Sequence, residues 1–127
     1  MRTVILLALL IAGCAQSANT SNHATKLQEY VDGWNKMGMW LPDQSQIDSF
    51  RLCLPESQKP LATALENPSY EIRMRAAYVI EKLGTDARPI GPALLGRLQN
   101  EPDRLVRLYL YDALSGVRYG ERQALRI

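Results

Sequence analysis

The residues best suited to chemistry are few: two cysteines, Cys14 and Cys53, and a single histidine, His23, in a chain of 127 residues. A zinc site built from Cys and His normally takes four well-spaced ligands, or three and a water. These three residues show no such spacing, so neither a metal nor a cofactor is expected. His23 lies in the small, polar stretch AQSANTSNHAT (residues 15–25) and reads as a solvated linker side chain. Cys53 stands beside an apolar helical face and reads as a small buried hydrophobe. No histidine is at hand to activate its thiol. The chain carries no glycine-rich phosphate loop, Ser-His-Asp set or matched carboxylate pair, and the usual general base is missing. The expectation is a binding protein and not an enzyme.

Cys14 acquires a different chemistry from what precedes it. Met1 and Arg2 make a short positive start, and residues 3–12 are an apolar run. That run is about half the roughly 20 residues that a membrane-spanning helix requires, and its pattern is that of a secretory signal peptide. It ends in Ile11, Ala12, Gly13 and Cys14, which resembles the bacterial lipobox of aliphatic, small, small and cysteine. The resemblance implies cleavage before Cys14, diacylglycerol on its sulfur and an acylated new terminus. Each buried methylene of such chains contributes about 0.8 kcal/mol, so several chains anchor stably. Ala15 in place of aspartate resembles the sorting pattern for the periplasmic face of the outer membrane. With Cys14 lipidated, Cys53 would be the only thiol left, and no intramolecular disulfide is expected.

Composition bounds the rest. A formal charge of +2 gives no electrostatic reason for a nucleic-acid partner. Hydrophobic residues make up 46% of the chain, but the first dozen positions take an outsized share. The remaining domain is small enough that each helix face must be used efficiently.

Residues 26–37 place Leu27, Tyr30, Val31, Trp34 and Met37 on one helical stripe. Trp34 and Trp40 together suggest a packed corner, with an exposed aromatic patch as the functional alternative. Asp43 can cap a second helix, with Gln46 completing a capping-box pattern, and Ile47, Phe50 and Leu54 share its apolar face. After a break over residues 55–60, two matched units follow. Leu61 and Leu65 correspond to Leu94 and Leu98 at an offset of 33; Ile72 and Arg73 correspond to Val106 and Arg107 at an offset of 34. One residue is therefore inserted in the turn. Asn67 and Pro68 find counterparts in Asn100 and Pro102. In the long helices Ile72, Ala76, Val79 and Leu83 form a buried stripe, matched by Val106, Leu110, Ala113 and Val117. Gly84 and Gly116 sit where helix-ending glycines are favoured.

A period of about 20–50 residues marks a repeat architecture. The segment Ile72, Arg73, Ala76, Val79, Ile80, Leu83 and Gly84, with its copy from Val106 to Leu114, resembles the HEAT-type repeat in its short form. The copy departs at Leu110, where that family prefers alanine. The resemblance implies an all-α short solenoid of antiparallel helix pairs. The expected organisation is a signal peptide over 1–13, a flexible tether over 14–25, an N-terminal helical cap over 26–55, and two repeats with a short tail over 56–127.

Counting helical phase from the buried stripe puts Arg75, Tyr78 and Lys82 on the opposite side, with Tyr109 and Asp112 alongside. Arg and Tyr are enriched in binding hot spots, though an ordinary solvated face has the same composition. Arg73 and Arg107 are expected to hold the turns between repeats, through carbonyls or through Asn67 and Asn100. The function expected is a membrane-anchored envelope lipoprotein whose helical domain binds a protein partner or acts as a scaffold. Its partners would be the lipid bilayer, through acylated Cys14, and an envelope protein. The alternatives are a bilin-lyase-like enzyme or chromophore-handling protein, implied only by the resemblance of these repeats to those of bilin lyases, and a purely structural envelope lipoprotein.

Overall fold

A computed structural model describes residues 17–120, with side chains from residue 24 onward. The expected signal peptide, Cys14, the His23 side chain and residues 121–127 lie outside the described residues or side chains. Within them the chain is all-helical. Helix α1 (Ser17–Gly33) runs into a 3-10 turn (Trp34–Lys36), followed by α2 (Gln44–Leu52), α3 (Gln58–Ala64) and α4 (Tyr70–Leu83). A 3-10 stretch (Gly84–Ile90) then leads to α5 (Gly91–Asn100) and α6 (Arg104–Gly116).

The expected stripe on α1 forms: Leu27, Val31 and Trp34 are buried, with Tyr30 and Met37 packed against the core. The helix nevertheless starts at Ser17, so residues 17–25 are helical where a flexible tether was expected. Nucleation is the costly step in helix formation, and each added residue gains a hydrogen bond. Once Leu27 and Val31 dock, the polar stretch can extend the helix backwards without an apolar period of its own.

Trp34 is fully buried, with its ring 5.8 Å from that of Phe50. Asp43 caps α2 by accepting the Gln46 backbone N–H at 3.0 Å. That bond, and a second from the Ser45 hydroxyl, hold the Asp43 carboxyl below its ordinary value. A carboxyl lowered by folding contributes its stability above the ordinary carboxylate value and loses it as pH falls below that value. The other half of the capping box does not form. The Gln46 side chain instead accepts the Trp34 indole N–H at 2.9 Å, which satisfies a buried donor.

The two helix pairs α3–α4 and α5–α6 bury matching positions. Ile72, Ala76, Val79 and Leu83 are buried, and so are Val106, Leu110, Ala113 and Val117. The most extensive helix–helix interface joins α4 to α6. Gly84 ends α4 with φ +65°, as expected of a terminal glycine. Gly116 has another role. A Cβ there would stand 3.0 Å from the Glu81 carbonyl oxygen, so its hydrogen lets α6 approach α4.

The turns repeat too. Arg73 donates to the carbonyls of Asn67 (2.8 Å) and Pro68 (3.0 Å). Arg107 donates to those of Glu101 (3.0 Å) and Pro102 (2.8 Å). The geometric counterpart of Asn67 is therefore Glu101 and not Asn100, and the inserted residue precedes the turn. The side chains agree, since Asn67 accepts the Ser69 N–H and Glu101 accepts the Asp103 N–H.

Glu101 also takes both Nε and Nη2 of Arg73, at 2.7 and 2.9 Å, and its side chain is wholly buried. Removing one partner of a buried ion pair strands the other charge, at a cost of about 3–5 kcal/mol. Glu101→Ala should lower unfolding stability by about that amount in urea titrations. Arg73→Met with Glu101→Leu should recover much of the loss. A Glu101→Ala chain as stable as the parent would contradict this account.

Candidate functional site

The face expected to bind is divided by the fold. Arg75 does not belong to it: the side chain is buried, at 1% exposure, where the helical phase of α4 predicted a solvent-facing cation. Its Nε donates to the Trp40 carbonyl at 3.0 Å and its Nη2 to the Gly38 carbonyl. Nη1 lies 3.6 Å from Glu71 without forming a hydrogen bond. The loop over residues 37–42 folds across this flank of α4 and takes the guanidinium for its own carbonyls. A phase count on one helix carries no information about a loop that arrives from elsewhere.

That loop displays what its brace holds. Met39 is 98% exposed and Trp40 78%, while their carbonyl neighbours are fixed from beneath. Met37, Gly38, Met39 and Trp40 line an open depression of ≈ 440 Å³. The two tryptophans therefore have opposite roles, with Trp34 in the core and Trp40 in solvent. The signal was in the spacing, because Trp34 falls on the α1 stripe and Trp40 lies beyond it. Met39 carried no signal of its own.

The other expected residues do meet. Tyr78 of α4 and Tyr109 of α6 are half-buried, with ring centroids 6.4 Å apart in an edge-on arrangement. Lys82 Nζ lies 5.3 Å above the Tyr78 ring, within cation–π range. Offset 34 places Tyr109 at the position Arg75 holds in α4. Asp112, which matches Tyr78, is exposed one turn beyond Tyr109 and forms no ion pair with the described residues. The patch joins two aromatic rings, a cation and a nearby carboxylate, next to the helix flank that anchors the Trp40 loop. It offers apolar area with a few hydrogen-bonding tips.

Among the described residues no group of three or more His, Cys, Asp or Glu side chains is arranged to hold a metal ion. None of their helices is long and apolar enough to cross a membrane. Comparison with protein families, with curated proteins and with solved structures finds no match to this chain.

Cys53 is buried as expected, but it is disulfide-bonded where a thiol was expected. The other cysteine of the sequence, Cys14, lies outside the described residues. In one molecule the Cys14 sulfur cannot both carry diacylglycerol and pair with Cys53. The lipid and the disulfide are alternative chemical fates.

The Arg75 brace makes its own prediction. Arg75→Met keeps apolar bulk but removes both donors, leaving two loop carbonyls without partners. Limited proteolysis should then cut within residues 37–42 at least about tenfold faster, by the roughly 1.5–3 kcal/mol that charged hydrogen bonds contribute. An unchanged cleavage rate would show that the loop is held by something else.

Proposed function

We propose that this chain is a lipid-anchored binding module of the bacterial envelope, its helix pairs forming a short HEAT-like solenoid. Anchoring is argued from Ile11, Ala12, Gly13 and Cys14, which fit the lipobox, behind an apolar run of signal-peptide length. Ala15 favours the periplasmic face of the outer membrane. The solenoid is argued from the 34-residue period, in which Arg73 and Arg107 make the same carbonyl contacts. The partner surface comprises Met39 and Trp40 with Tyr78, Lys82 and Tyr109, and Asp112 at its edge. The observation that carries it is the exposed Trp40 on a braced loop, since a rigid aromatic anchor costs little ordering entropy on binding.

Two arms test this in cells making the full chain. Labelled palmitate should enter the wild type and not Cys14→Ser. A wild-type chain that takes up no label would mean that anchoring is wrong. Photo-crosslinking from position 82 should capture an envelope protein, with yield falling about tenfold or more in Trp40→Ala with Tyr109→Ala. Equal capture by that variant would exclude this surface.

A further inference from the structure

Helix α6 turns Val106, Leu110, Ala113 and Val117 into the core. At 3.6 residues per turn the opposite side of the helix is centred on Leu108, which is 56% exposed. Arg104 lies four residues before Leu108 and Asp112 four after, so the three form one i±4 row. Both charged residues are exposed, and neither side chain has a hydrogen bond or ion pair with the described residues. Leu105 and Tyr111 flank the row and are also open to solvent.

This row is its own complement when reversed. In the commonest class of helix packing, the i±4 rows of two helices run side by side. Set antiparallel against a second copy so that these two rows face each other, Leu108 meets Leu108 on a two-fold axis. Arg104 of each chain then meets Asp112 of the other, at both ends of the contact. We propose that α6 is the interface of a symmetric homodimer, with a second copy of this chain as its occupant. Such an isologous contact closes on itself and does not propagate into a fibre. Each copy satisfies the two charges that the other leaves unpaired. One helix face is at the low end of interface sizes, so the association is weak and depends on concentration. The inference goes beyond the reading above; it shares Asp112 with the edge of that partner surface but rests on neither Cys14 nor the Trp40 loop. Its failure would leave that reading standing.

The test uses the full chain in cells, with a photo-crosslinking amino acid at position 108. Wild-type charges should give a homodimer crosslinked between the two α6 helices, as read by peptide mass spectrometry. Arg104→Asp alone sets two aspartates against each other, and Asp112→Arg alone sets two arginines. Each should cut dimer yield about tenfold or more. The double reversal should restore it. Co-expression of the two single variants under different tags should give the mixed dimer, which also shows that each variant folds. Crosslinking of position 108 to residues 121–127 of the same chain, to another protein, or to lipid would overturn the proposal. So would a dimer yield indifferent to these charges.

Discussion

Glu101 has a fully buried carboxylate, and the second half of the molecule is arranged around it. Arg73 reaches it from α4 with two short bonds, Arg97 approaches it within 3.4 Å from α5, and the Asp103 N–H closes the turn onto it. A carboxylate out of water is costly unless its lone pairs are occupied. Here they are occupied from both helix pairs, so the pairs are held in one register. Small slides would strain the α4–α6 interface, where a Cβ at position 116 would stand 3.0 Å from the Glu81 carbonyl oxygen. A bidentate guanidinium does not tolerate them either, since its two bonds fix distance and plane together. Apolar burial drives the stacking, and the close approach at Gly116 and the ion pair select its register.

The same arginine shows why the repeat was readable. Its Nη1 holds two carbonyls in the turn before α4, and Arg107 does so before α6. A helix of fixed phase and a turn of fixed length together impose a period, and that period survives in residue types. What the sequence could not resolve was the turn itself. Asn100 resembles Asn67 in type, yet its side chain folds back on the Gly96 carbonyl, and Glu101 takes the structural place. Two side chains that can accept the same N–H are interchangeable to the turn and unlike to an alignment by residue type.

The site was legible only where the offset between the two long helices decides it. Tyr78, Lys82 and Tyr109 meet because α4 and α6 pack at the repeat offset. Arg75 was misassigned because its environment comes from a loop some 35 residues earlier in the chain. A long cationic side chain on the polar side of an amphipathic helix normally stays in water. It is buried here because two loop carbonyls lacked donors, and burial of both sides is cheaper when they meet. The exposed Met39 and Trp40 follow from that contact, since a loop fixed through its carbonyls turns its side chains away from the brace.

Two helix pairs are fewer than a repeat stack normally needs to bury a continuous core. The shortfall is met at one end by α1 and α2, which pack on α3 and α4 and bring Trp34 and Phe50 as bulky filler. These helices carry none of the repeat motif. They act through volume, so a cap built from large aromatics can replace a repeat without resembling one. At the other end α6 has its core face covered and its outer face open, with Leu105, Leu108 and Tyr111 in solvent. α4 occupies the same place in the preceding pair, and its Ala77 is fully buried where α6 has the exposed Tyr111. The two helices share an inner stripe because both serve one core. They differ on the outside because α4 has a neighbour there within the chain, and α6 has none among the described residues.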